Sequence, residues 1–99
     1  MEFLKSKLPS LKKEYEVDFV IANGENSAEG NGIVPISANK ILNAGVNVIT
    51  GGNHTFRRRE IFPYLNENQR IIRPVNYPSE STPGGGMRKF MVGDIPVCV

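Results

Sequence analysis

A chain of 99 residues is long enough for one small core and too short for two. With 39% hydrophobic and 22% charged side chains its composition is that of an ordinary soluble globular domain, and a net charge of +2 is too small to argue for a stable nucleic-acid complex or an anionic membrane surface. Cys98, the single cysteine, excludes an internal disulfide, and no apolar run approaches the roughly 18 residues of a membrane span. The amino terminus carries lysines at positions 5, 7, 12 and 13 without an apolar signal core, so a cytoplasmic location is expected.

Leu4, Leu8, Leu11 and Tyr15 recur at helical spacing with lysines between them, which predicts an amphipathic helix. Pro9 falls inside it, and a kink or restart near Leu8 is expected. Val17 to Ala22 is short, β-branched and apolar, the pattern of a strand buried on both faces. The Gly- and Asn-rich stretch Asn23 to Gly32 reads as a loop with several positions open to positive φ. A helix follows from Pro35, with Ala38, Ile41 and Leu42 on its apolar face and Gly45 just past its end. Its N-cap falls on Val34, which has no side-chain oxygen and costs on the order of 1 kcal/mol relative to Ser or Thr.

Val46 to Thr50 predicts a second buried strand, parallel to the first through a right-handed crossover. Arg57 to Asn66 reads as a helix in which Pro63 is awkward, and Ile71 to Arg73 as a short strand. Pro74 to Gly86 reads as an extended loop, and Met87 to Val92 with Ile95 to Val99 as a hairpin turning at Gly93-Asp94 in type II′ geometry. The expected class is α/β: a parallel β-α-β unit, a helix and a C-terminal β-hairpin in one partial domain spanning residues 1–99.

Two stretches carry the chemistry. Ala22-Asn23-Gly24-Glu25-Asn26 and Thr50-Gly51-Gly52-Asn53-His54 each leave a predicted strand at its carboxyl end, where open parallel sheets collect ligands. With strands about 4.8 Å apart, Glu25 and Asn53 are expected within roughly 5 to 10 Å of one another. A carboxylate, amide oxygens and an imidazole form a donor set that favours manganese, iron or zinc over calcium, and His54 suits proton delivery to a leaving oxygen. The same asparagines and glycines also suit plain turns. Arg57-Arg58-Arg59 offers cations for phosphate or a solvated basic face. No Gly-x-Gly-x-x-Gly, Gly-Lys-Ser/Thr or Gly-x-Ser-x-Gly pattern occurs.

Ala-Asn-Gly-Glu-Asn at 22–26, Gly-Asn-His at 52–54 and Arg-Pro-Val-Asn-Tyr-Pro at 73–78 resemble, in order and spacing, the bacterial YmdB-like metallophosphoesterases of the calcineurin-like superfamily. The resemblance covers nearly the whole chain. It implies a sheet sandwich flanked by helices and a centre of two divalent or transition metal ions, iron, manganese or zinc, that hydrolyses 2′,3′-cyclic nucleotides or related phosphodiesters with a metal-held water. It further implies metal-ligand roles for Glu25 as the bridging group, for Asn53, and for Asn26 in or beside the shell, with His54 catalytic on the leaving group. The family's opening strand, which ends in a metal-binding aspartate, and its histidine-bearing C-terminal half have no counterpart in these 99 residues. Phe56-Arg57 stands where the family has an aromatic residue and an aspartate, and Val34 replaces a capping threonine. The rival reading is a shortened, inactive α/β module that binds a nucleotide or a partner chain.

Overall fold

A computed structural model describes residues 1–99. Eight elements follow one another: α1 (Glu2–Glu14), β1 (Ile21–Asn23), α2 (Pro35–Asn43), β2 (Val48–Thr50), α3 (Ile61–Glu67), β3 (Ile71–Ile72), β4 (Lys89–Val92) and β5 (Ile95–Cys98). β1, β2 and β3 form a parallel sheet in that order, and β4 and β5 form a separate antiparallel hairpin. The α/β class, the parallel β-α-β unit and the hairpin are therefore as expected. No helix is long and apolar enough to cross a membrane.

The core lies where α1, α2 and α3 meet the sheet. Leu8 of α1, Ala38, Ile41 and Leu42 of α2, Ile61 and Leu65 of α3, and Ile49 and Ile71 of the strands bury one apolar cluster, completed by Ile33 and Val46. Those side chains recur at helical spacing in the helices and come from short β-branched runs in the strands, so burial follows periodicity. Gly24 belongs to this packing as well. A methyl group there would stand 2.8 Å from Ile49 Cγ2 and 3.2 Å from Ile33 Cδ1, too close for either to remain in place.

Helix ends show which local signals act. Gly45 takes φ +114° just after α2, as expected of a left-handed stop. α1 stops without a glycine: Glu16 takes φ +51°, Val17 N–H donates to the Lys12 carbonyl at 2.8 Å and Glu16 N–H to the Lys13 carbonyl at 3.4 Å. This Schellman pattern satisfies two terminal carbonyls with a glutamate in the left-handed region. Val34 caps α2 from an extended backbone, and the Ser37 hydroxyl accepts the Val34 N–H at 3.1 Å, filling half of a capping box.

Six sequence expectations are corrected. Two strands change only in bounds: β2 starts at Val48 rather than Val46, and β3 ends at Ile72 rather than Arg73. α1 runs unbroken through Pro9. Lys5 and Pro9 are both exposed, where a carbonyl that lacks its helical donor costs least. β1 is shorter than Val17 to Ala22 and is not buried on both faces, since it is the outer strand of the sheet and Ile21 is 49% exposed. α3 begins at Ile61, with Arg57 to Glu60 in turns ahead of it. Pro63 thereby falls in the first turn, where backbone N–H groups have no helical partner to lose. The hairpin is trimmed to Lys89–Val92 and Ile95–Cys98, with Val92 opposite Ile95. Gly93, first of the two connecting residues, has φ +59°, as a II′ turn requires.

Candidate functional site

The parallel register sets the site. Asn23 lies beside Thr50 and Thr50 beside Ile72, so the chain leaves all three strands at one edge. Backbone bonding continues past the strands, from Gly24 N–H to the Thr50 carbonyl at 3.0 Å and from Gly51 N–H to the Ile72 carbonyl at 2.9 Å. The two loops that bear Glu25 and His54 therefore start from a fixed, side-by-side footing.

Glu25 bridges them. One carboxylate oxygen accepts the His54 backbone N–H at 3.2 Å, and the other receives a long contact of 3.4 Å from the Asn23 amide. The Asn23 side-chain oxygen Oδ1 in turn accepts the Glu25 N–H at 3.2 Å, an Asx turn that aims the carboxylate across to the second loop. Gly52 makes this approach possible, because a methyl group there would overlap the Glu25 carboxylate itself. The second loop is closed by Thr55, fully buried, whose hydroxyl oxygen accepts the Gly52 N–H at 2.7 Å and also donates to the Gly52 carbonyl at 2.7 Å.

His54 Nδ1 lies 2.6 Å from Asn26 Oδ1. An amide oxygen only accepts, so Nδ1 carries the proton and Nε2 is left for other partners. Asn26 thus orients the imidazole with the oxygen that the sequence reading assigns to a metal. Asn53 is exposed and its side chain takes no part in these bonds. Of the four predicted residues, Glu25, Asn26 and His54 are directly linked, and Asn53 follows Gly52, against which the Glu25 carboxylate lies.

Arg57, Arg58 and Arg59 divide. Arg58 reaches back to the first loop, donating to the Asn31 carbonyl at 3.1 Å and the Ala28 carbonyl at 3.4 Å, and so acts as a brace. Arg57 and Arg59 remain exposed. Sequence reading missed Gly52, Asn23 and Thr55 as builders of the site. A signal existed for Thr55, since a threonine three residues after a glycine is the spacing of a side-chain-closed turn.

The donor set, one carboxylate with amide oxygens and one imidazole, fits hard or borderline divalent cations. Nowhere do three His, Cys, Asp or Glu side chains gather, so this chain offers part of such a ligand set.

The parallel α/β sheet thus brings a carboxylate, amides and a histidine to its carboxyl edge, the place where open parallel sheets bind ligands. The sequence matches the profile of YmdB-like protein over residues 1–99, and the chain belongs to that family. It is 38% identical over 86 residues to the 2′,3′-cyclic-nucleotide 2′-phosphodiesterase of Bacillus subtilis strain 168, covering 87% of this chain and 32% of that protein. A crystal structure of a hypothetical protein from Thermus thermophilus superposes with a TM-score of 0.87 at 35% identity, over 98% of this chain and 37% of that one. A crystal structure of a novel phosphatase from Mycoplasma pneumoniae does so with a TM-score of 0.86 at 31% identity, over 98% of this chain and 36% of that one. The chain spans about a third of the length of these relatives.

Proposed function

We propose that this chain is a partial domain bearing half of the catalytic edge of a metal-dependent phosphodiesterase that acts on 2′,3′-cyclic nucleotides or related phosphodiesters. The observation that carries the reading is the bridge from Glu25 to the His54 loop, with His54 held in turn by Asn26. Glu25 and Asn53 would hold metal, with Asn26 in or beside the shell, and a bound divalent cation supplies Lewis acidity toward phosphoryl oxygen and water. Two ions, iron, manganese or zinc, are proposed for a site completed by donors beyond this set.

His54 acts as the proton donor. Asn26 Oδ1 accepts the Nδ1 proton, so Nε2 is the nitrogen left to pass a proton to a leaving alkoxide. The resemblance to a named cyclic-nucleotide phosphodiesterase supports the substrate class. The substrate is a small molecule, with no membrane or stable nucleic-acid partner, and the place of action is the cytoplasm.

Metal-stimulated cleavage of adenosine 2′,3′-cyclic phosphate or bis(p-nitrophenyl) phosphate, lost in both His54→Ala and Glu25→Ala, is the expected result. Nucleotide binding without turnover, unchanged by Glu25→Ala, would instead establish the inactive module.

A further inference from the structure

We infer that the segment Arg73–Pro78, after β3, forms a nucleoside-recognition wall of this site, with Tyr77 as the surface on which a base stacks and Asn76 as the amide that meets its polar edge. The inference rests on the phosphodiesterase reading above. β3 runs parallel to β2 with Ile72 beside Thr50, so the chain after Ile72 leaves the sheet at the same edge as Glu25 and His54, one strand further along. Phe56, two residues after His54, joins the segment to the second loop: its ring centroid is 5.0 Å from that of Tyr77, with the planes at 70°. Phe56 also meets Phe62 of α3 at 5.7 Å, and both pack against the core.

The segment is anchored at its root and open at its tip. Arg73 is 5% exposed; its guanidinium donates to the Pro83 carbonyl at 3.1 Å and the Pro74 carbonyl at 3.0 Å, while its backbone N–H donates to the Gly85 carbonyl at 2.9 Å. Beyond that clamp Val75 is 74% exposed and Asn76 is exposed. Tyr77 is only half-buried, and its hydroxyl enters none of the side-chain hydrogen bonds of the chain, unlike that of Tyr64, which is bound on both sides. An edge-to-face pair uses at most one face of the tyrosine ring, leaving the other for a ligand. A held, half-exposed aromatic ring beside a free amide is how proteins receive a splayed base, by stacking and by hydrogen bonds to its edge.

NMR titration of the ¹⁵N-labelled chain in Zn²⁺-containing buffer tests this, with adenosine 2′,3′-cyclic phosphate and the base-free glycerol 1,2-cyclic phosphate as probes. Both are expected to shift the amides of Glu25, Asn26 and His54, and only the nucleotide those of Asn76 and Tyr77. Tyr77→Leu should weaken the nucleotide about 5-fold or more and leave the glycerol compound unchanged, whereas Tyr77→Phe should keep most of the affinity. A nucleotide that leaves Asn76 and Tyr77 unshifted, or that binds Tyr77→Leu as tightly as the parent, overturns the inference. If Tyr77→Leu loses its dispersed spectrum, the titration of the parent chain decides by the same shifts at Asn76 and Tyr77. If neither probe moves Glu25, Asn26 and His54, the phosphodiesterase reading itself fails, and the wall falls with it.

Discussion

β1 and β2 are neighbours in one sheet and nearly alike in sequence, Val-Ile-Ala at 20–22 and Val-Ile-Thr at 48–50, yet their surroundings are opposite. Val48 and Ile49 are fully buried between β1, β3 and the helices, whereas Ile21 is 49% exposed on the outer strand. The loops differ in the same sense. The one after β2 is locked to itself by Thr55, and the one after β1 keeps exposed Asn23 and Asn26, which act on Glu25 and His54 from the solvent side. The candidate site thus has one wall closed on itself and one exposed wall, and position in the sheet assigns which is which.

Substitution at the isoleucine of each strand gives the largest effect. Ile49→Ala should cost about 3 to 4 kcal/mol in urea unfolding, from lost transfer energy plus a cavity, against about 0.5 kcal/mol for Ile21→Ala. Equal losses would show β1 to be as buried as β2. Next comes Thr55→Val, which removes both hydroxyl bonds to Gly52 and leaves the Gly52 N–H without its partner, for about 1 to 2 kcal/mol, while Asn23→Ala on the exposed wall should change stability by less than about 0.5 kcal/mol.

Gly52→Ala pushes the flexible Glu25 carboxylate off its bonds to His54 and Asn23 and should cost about 1 kcal/mol. The double variant with Glu25→Ala should recover much of that loss, and simple additivity would place the strain elsewhere. The smallest effect is one of pH. Partial burial raises the Tyr64 hydroxyl above its ordinary value of 10.0, against the lowering effect of its bond from Asn68 and of the nearby Arg70 charge. The unfolded chain then gives up this proton first, so the Tyr64 contribution is whole below about pH 10 and declines as pH rises through the folded value. Tyr64→Phe should remove that part of the alkaline slope in denaturation measured across pH, and an unaltered slope would assign it to other groups.

The element order was legible because each cue is local. Helical spacing placed Leu8, Ile41 and Leu65, Gly45 marked the end of α2, and Gly93 set the hairpin turn. Where the local cue was absent, legibility stopped. α1 ends at a glutamate in a glycine's conformation, and Pro63 looked disruptive only until α3 proved to start at Ile61. The candidate residues were readable as strand-end chemistry, since the β-α-β pattern sends Glu25 and His54 to one edge.

By itself the sequence determined which residues reach that edge, because strand direction and crossover topology follow from periodicity and turn residues. Only the tertiary structure decided how they meet there. That Asn26 serves His54, that the Glu25 carboxylate needs the bare backbone of Gly52, and that Tyr77 stands against Phe56 all depend on segments far apart in the chain. Such contacts are set by sheet register and close packing, which no local pattern encodes.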